Sequence, residues 1–281
     1  MRGEALGFRH VILVCALGLG TGETALAQNA PIVLSAGTDH ARTTIPVSVN
    51  GVQVRCVLDT GASTMLLSQD TASMAGVTAL RAVDEISPDG MRYTGHAARI
   101  ARLGVGGITV RDVPALISSN RSNAAALCGY GFFDRFPTLI DRDRSLVTLF
   151  PADAALNAMR CLRVDLSTHV PVSTVLINGT PLSNVVLDSG MSGGGILWNG
   201  ALTKLAHPLT PLVTTRYDPD QSNLSCGRNA MAAFFADLPA AFVQLCTSAT
   251  PPAGYDGMLQ TNLSTVHRLG IDYAARRVCF S

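Results

Sequence analysis

Lysine is almost missing from this sequence: Lys204 is the only one, and the other 20 of its 21 basic residues are Arg. Glutamate is nearly as scarce, and outside the first 27 residues Glu85 stands alone, so almost every carboxylate is an Asp. Charged residues make up 15% of the chain against 47% hydrophobic ones, which excludes a charge-solvated disordered tail and leaves ample apolar surface for a core. Like charges form no long run and the net charge is +1. Binding nucleic acid by phosphate neutralisation needs a basic stripe, so nucleic acid is not an expected partner. No two of the seven cysteines make a Cys-x-x-Cys pair, and the six histidines make no His-x-x-x-His pair. Neither a structural zinc nor a thioredoxin-like dithiol has its motif here, and no metal or cofactor is expected. After residue 27 no apolar run approaches the roughly 20 residues of a membrane span.

What is there begins with a leader. Arg2 and Arg9 give a positive start, residues 11–20 an apolar run, and Ala25-Leu26-Ala27 an A-x-A cleavage site. Residues 1–27 therefore read as a signal peptide and Gln28 as the first mature residue. Cys15 follows Val14, where lipoprotein processing wants a small residue. The expectation is a periplasmic or secreted protein with no stable membrane insertion once the leader is cut. Cys15 leaves with it. The six remaining cysteines are an even count that reads as disulfides in an exported chain, with fifteen pairings open.

The mature chain repeats itself once. The strand-like stretch from Ile45 to Asn50-Gly51 is followed by Val57-Leu58-Asp59-Thr60-Gly61. A second, from Val170 to Asn178-Gly179, is followed by Val186-Leu187-Asp188-Ser189-Gly190. Each copy reads as a strand, an Asn-Gly hairpin turn, a second strand and an Asp-Thr/Ser-Gly turn. The copies also close alike, with Ile140-Asp141 before one final strand and Ile271-Asp272 before the other. This is a duplicated unit of about 125 residues, dividing the chain into lobes at 28–155 and 156–281. Val, Ile, Thr and Leu runs broken by Gly, Pro, Asn and Asp predict a mostly-β protein. Helices are expected only at 68–74, 132–136, 230–235 and 262–269, with a short linker helix within 151–160.

The Asp-Thr/Ser-Gly turn has a chemical logic. The buried strand before it positions the Asp rigidly. The hydroxyl of Thr60 or Ser189 can bond backbone in the facing copy, and Gly61 and Gly190 let two loops approach where a Cβ would clash. Asp59 and Asp188, brought together about a pseudo-twofold axis, cannot both ionise, so they share a proton. One carboxylate then acts as base on a trapped water while the other, protonated, polarises a carbonyl. Asp141 and Asp272 are expected to begin hairpin turns and not to do chemistry.

On these motifs, with Ala62-Ser63 and the downstream Leu127-Cys128-Gly129, the chain resembles bacterial exported retropepsin-like and pepsin-like aspartyl proteases. The resemblance implies a bilobal acid-protease fold, two similar β-barrel-like lobes with a cleft between them, and hairpin flaps over the cleft. It implies catalysis by Asp59 and Asp188, supported by Thr60, Gly61, Ser189 and Gly190. The flap candidates are Gly90, Tyr93 and Tyr217. The fold implied would pair Cys56 with Cys128 and Cys161 with Cys279, leaving Cys226 for Cys246. A peptide or protein substrate follows, and a monomer, since one chain holds both halves. The sequence departs from the family at Ala62 and Met191, where pepsin-like enzymes often have a hydroxyl, and at Gln260, where the second copy should have Gly. Fewer donors to the carboxylates imply a raised pKa and a mildly acidic optimum.

Two other functions are weighed beside this one. Met191 and Gln260 are the grounds for a catalytically inactive protease-like module that binds peptide or protein. Gly190-Met191-Ser192-Gly193-Gly194 fits the G-x-S-x-G elbow of serine hydrolases, with Ser192 as nucleophile and His207 or His267 as base. That elbow needs an immediate helix and an α/β setting, which the glycine run and strand-rich context do not offer.

Overall fold

The computed structural model describes residues 30–86, 92–118, 124–191, 194–207, 209–216, 224–235, 240–248 and 254–281. Its plan follows from two hairpins. Strand Arg42–Val49 turns through Asn50 (φ 49°) and Gly51 (φ 96°) into strand Val52–Leu58. Strand Val172–Ile177 turns through Asn178 (φ 49°) and Gly179 (φ 78°) into strand Thr180–Asp188. A two-residue type I′ loop demands positive φ at both positions, which Asn and Gly adopt at least cost. Each Asn also ties its hairpin to a later strand of its own half. Asn50 Oδ1 accepts the Arg102 N–H at 2.9 Å, and Asn178 Oδ1 accepts the Met231 N–H at 2.8 Å.

Each half builds one sheet around its hairpin, eight-stranded in the first and seven-stranded in the second. In the first, Val52–Leu58 lies parallel to Ala126–Cys128, with Leu58 beside Cys128. In the second, Thr180–Asp188 lies parallel to Gly257–Gln260, with Asp188 beside Gln260. Parallel pairs need cover on both faces, and the residues leading to each Asp have it. Cys56, Val57 and Leu58, and likewise Val185, Val186 and Leu187, are all 2% exposed or less. The chain is thus clamped immediately before each Asp-Thr/Ser-Gly turn.

A third sheet of six strands belongs to both halves. Its junction is the antiparallel pair Thr138–Asp141 and Arg268–Asp272, with Ile140 opposite Leu269. Ile32–Ser35 and Arg160–Arg163 are its edges. One apolar cluster runs from Ile45 and Ile100 through Ile140 and Ile271 of this sheet to Val175 and Leu245. The mostly-β, bilobal architecture expected from the sequence is the one observed.

Three disulfides brace it. Cys56–Cys128 joins the parallel strands that lead to Asp59 and Gly129. Cys161–Cys279 links directly opposed residues at one side of the shared sheet, and Cys226–Cys246 does so in the outer second half.

The helices correct some of the sequence reading. Helix Gln69–Met74 forms as expected, its N-terminus capped by Ser68 Oγ accepting the Thr71 N–H at 3.1 Å. A linker helix is present at Asp153–Asn157. The helix expected at 132–136 starts earlier, at Tyr130–Phe133, because the Gly129 carbonyl accepts the N–H groups of Phe132 and Phe133. Residues 230–235 are not helical: strand Leu224–Ala233 runs through them, with Ala230 opposite Val243 and Ala232 opposite Ala241. Strand pairing overrides the helix preference of Ala and Met there. The segment 262–269 is a turn entering strand Arg268–Asp272. One of its carbonyls is drawn elsewhere, since the Arg142 guanidinium donates to Val266 O at 2.9 Å.

Candidate active site

The two Asp-Thr/Ser-Gly turns meet face to face. Thr60 N–H donates to Ser189 Oγ at 3.0 Å, and Ser189 N–H to Thr60 Oγ1 at 2.9 Å. Each hydroxyl then donates across to the strand entering the other turn, Thr60 to Leu187 O at 2.6 Å and Ser189 to Leu58 O at 2.8 Å. Both side chains are 1% exposed. Buried polar groups must be satisfied, and here the two halves satisfy each other.

This clasp brings Asp59 and Asp188 into side-chain hydrogen-bond contact. Each carboxylate lies over the glycine of the opposite turn. A Cβ on Gly61 would sit 2.6 Å from Asp188 Cγ, and one on Gly190 would sit 2.2 Å from Asp59 Cγ. Neither glycine has a positive φ; both are required by close approach alone.

Backbone amides hold the carboxylates from below. Ala62 N–H donates to Asp59 Oδ1 at 3.1 Å. Gly190 and Met191 N–H donate to Asp188 Oδ1 at 2.7 and 3.0 Å. The amide of Met191 therefore does for Asp188 what that of Ala62 does for Asp59, whatever side chain follows. The Met191 side chain packs on the apolar cluster that includes Val170, Val186, Trp198 and Met258.

The Gln260 departure also has a local explanation. At Gly129 a Cβ would lie 2.0 Å from Thr64 O and 2.5 Å from Ala62 O, because the loop after Asp59 crosses it. In the second half the tight crossing falls on Gly194, where a Cβ would lie 1.8 Å from Gln244 O. Gln260 instead donates its N–H to Gly194 O at 2.9 Å. The need for a glycine has moved from the closing strand to the loop.

Both carboxyls titrate above their ordinary range. Burial is the main cause for Asp59, opposed by hydrogen bonds from Asp188, Gly61 and Ala62 and by the charge of Arg42. Asp188 is pushed up further, by burial first and then by the negative charge of Asp59. Below them lies Tyr273, its hydroxyl buried without a partner among the described residues and stacked at 5.6 Å on Tyr130. Burial and then the charges of Asp59 and Asp188 hold Tyr273 in its neutral form.

The other residues singled out from the sequence are distributed as follows. Asp141 Oδ1 accepts the Arg144 N–H at 3.1 Å and Asp272 Oδ1 the Ala275 N–H at 3.0 Å, so both are hairpin-turn residues. Gly90, Ser192 and Tyr217 lie outside the described residues. Tyr93 is described in its backbone only, on strand Arg92–Val105 opposite Glu85. His267 Nδ1 lies 3.0 Å from Asp143 Oδ1, in the shared-sheet turns. Three residues near the turns went unread in the sequence: Arg42, Arg142 and Tyr273. Only Arg42 had a signal, since the Asn-Gly hairpin fixes which residue faces which.

Residues 45–135 match the family model described as gag-polyprotein "putative aspartyl protease". That segment holds Asp59-Thr60-Gly61 and Gly129. Among solved structures, the chain is similar to a retropepsin-like aspartic protease from Rickettsia conorii, 20% identical, over 43% of this chain and 88% of that one, with a TM-score of 0.35. No curated protein matches the chain. Over residues 45–135, about a third of the chain, the sequence is thus similar to an aspartyl protease family.

Proposed function

We propose that the protein is an exported aspartic endopeptidase with one catalytic centre, formed by Asp59 from lobe 28–155 and Asp188 from lobe 156–281. The observation that carries this reading is the reciprocal seating of each carboxylate over the other turn's glycine. Two like charges in contact share one proton. Burial raises both carboxyls, and we assign the shared proton to Asp188 as the acid and the charge to Asp59 as the base.

The reaction follows from that division. Asp59 takes a proton from a water placed between the carboxyls as the water oxygen attacks the scissile carbonyl. Asp188 gives its proton to the carbonyl oxygen as negative charge develops there. The proton on Asp59 then passes to the leaving amine nitrogen as the C–N bond breaks, and one hydroxyl of the diol returns its proton to Asp188 as the carbonyl re-forms. Thr60, Gly61, Ser189 and Gly190 hold the geometry, and the chemistry needs no metal or cofactor. The substrate is an extended peptide bound by strand-like hydrogen bonds.

Export is supported by the leader-like residues 1–27 and by three disulfides, which persist in oxidising compartments. Among the described residues no helix is long and apolar enough to cross a membrane.

The test is cleavage of a peptide library between about pH 3 and 7, with wild type beside Asp59→Asn and Asp188→Asn. Activity in the wild type and its loss in both variants is the expected result. Equal cleavage by Asp188→Asn would remove that residue from the mechanism. A folded wild type that binds peptides without cutting them would transfer the assignment to the non-catalytic peptide- or protein-binding module.

A further inference from the structure

Strand Gly257–Gln260 runs out into Thr261, whose N–H donates to Asp188 O at 2.8 Å. The segment that follows is gripped from the other half of the chain. The Arg142 N–H donates to His267 O at 3.0 Å. The Arg142 guanidinium donates to Val266 O at 2.9 Å, to Thr261 O at 3.3 Å and to Asn262 Oδ1. Asn262 Nδ2 in turn donates to Ala41 O at 3.1 Å.

The duplication gives the grip a counterpart of different chemistry. Arg142 follows Ile140-Asp141 as Tyr273 follows Ile271-Asp272, and Thr261 follows Gln260 as Tyr130 follows Gly129. In the reciprocal place Tyr273 meets Tyr130 by ring stacking, at 5.6 Å between centroids. The Tyr130 N–H donates to Ala62 O, in the loop after Asp59, whereas the Thr261 N–H donates to Asp188 itself. The Arg142 guanidinium bonds neutral acceptors, and burial lowers its pKa to about 10. The carboxylates of its own turn face other partners, Asp141 lying by Arg144 and Arg268 and Asp143 by His267. A planar fork of donors holds several oxygens at fixed angles, which a lysine ammonium on a flexible stem does not.

We propose that Arg142 is a positioning residue: from lobe 28–155 it braces segment 261–267 of lobe 156–281, and through the bond from Thr261 to Asp188 it sets the separation of the two carboxyls. The inference rests on the dyad reading above. Two carboxyls that share a proton titrate in two steps, and those steps bound a bell in the pH profile of kcat/KM. One further ångström between like charges in contact weakens their coupling by roughly one pKa unit.

The test is the width of that bell. Arg142→Gln releases segment 261–267, and the two limbs draw together by about one unit. Arg142→Lys keeps the charge, loses the fork and narrows the bell likewise. Asn262→Ala breaks the same brace more mildly, narrows the bell less, and serves if Arg142→Gln does not fold. The control is Arg277→Gln, which removes hydrogen bonds from the shared sheet to Asp272 and Asn157, at 3.0 and 2.7 Å, and leaves the width unchanged. Tyr273 and Arg42, the other groups whose charge or titration is coupled to the pair, are the same in every variant. A merely structural Arg142 lowers the folded fraction, and so the height of the bell, without changing its width. An unchanged or wider bell in the folded Arg142 and Asn262 variants, or equal narrowing in Arg277→Gln, overturns the inference. The carboxyl 13C resonances of Asp59 and Asp188, followed through the same pH range, report the same separation of steps without turnover. Should the chain cleave nothing, those resonances decide this inference separately from the peptidase reading.

Discussion

Thr60 and Ser189 each donate a backbone N–H to the other's hydroxyl, at 3.0 and 2.9 Å, from turns 129 residues apart in the chain. The exchange holds both aspartates in contact, and neither half can complete it alone. Thr60→Val keeps the shape of the side chain but leaves the Ser189 N–H and the Leu187 carbonyl without partners. Leaving two buried polar groups unsatisfied costs about 2–4 kcal/mol. Ser189→Ala strands the corresponding pair, the Thr60 N–H and the Leu58 carbonyl, and should cost about as much. Denaturant melts of the two variants check both the size and the symmetry.

Adding a methyl group at either active-site glycine should remove activity. Gly61→Ala drives a Cβ into the Asp188 carboxylate and Gly190→Ala into that of Asp59. Gly200 is the control, since a Cβ there meets nothing within 4 Å and its φ is not positive. Turnover should fall at least about a hundredfold in the first two, the scale of a lost acid or base. It should be unchanged in Gly200→Ala.

The raised pKa of Asp188 has a consequence for stability. Between the ordinary Asp value, about 3.9, and its raised value in the fold, the native state binds more protons than the unfolded one. Unfolding free energy therefore declines as pH rises through that window and levels off above it. Asp188→Asn removes the titrating group while keeping an acceptor for the Gly190 and Met191 amides. The variant should melt close to the wild type at acid pH and above it at neutral pH. Calorimetry at the two pH values measures this, and a wild type that is the more stable at neutral pH contradicts it.

The disulfide Cys161–Cys279 closes the longest of the three loops, 118 residues, and joins opposed residues of the sheet that both halves share. Replacing both cysteines with Ala should cost about 2–5 kcal/mol. Cys226–Cys246 closes only 20 residues and should cost less, since the entropy removed from the unfolded chain grows with loop length. Thermal melts of the two double variants rank them.

The amino-acid sequence alone determined the duplicated plan, the Asn50-Gly51 and Asn178-Gly179 hairpins, the Asp-Thr/Ser-Gly turns and the mostly-β architecture. Each of these is written within a few adjacent residues, where φ preferences and period-two burial act directly. Residues 230–235 were misread as helix because Ala and Met favour one locally. Pairing with strand Ala241–Ser248, more distant in the chain, decided otherwise. The tolerance of Gln260 likewise depends on Gly194 taking the tight crossing against Gln244. Only the tertiary structure closed the Thr60–Ser189 clasp and brought the two aspartates together. Charge and hydrogen-bond neighbours separated by tens to more than a hundred residues are settled by which surfaces bury together, and that is not a local property of any segment.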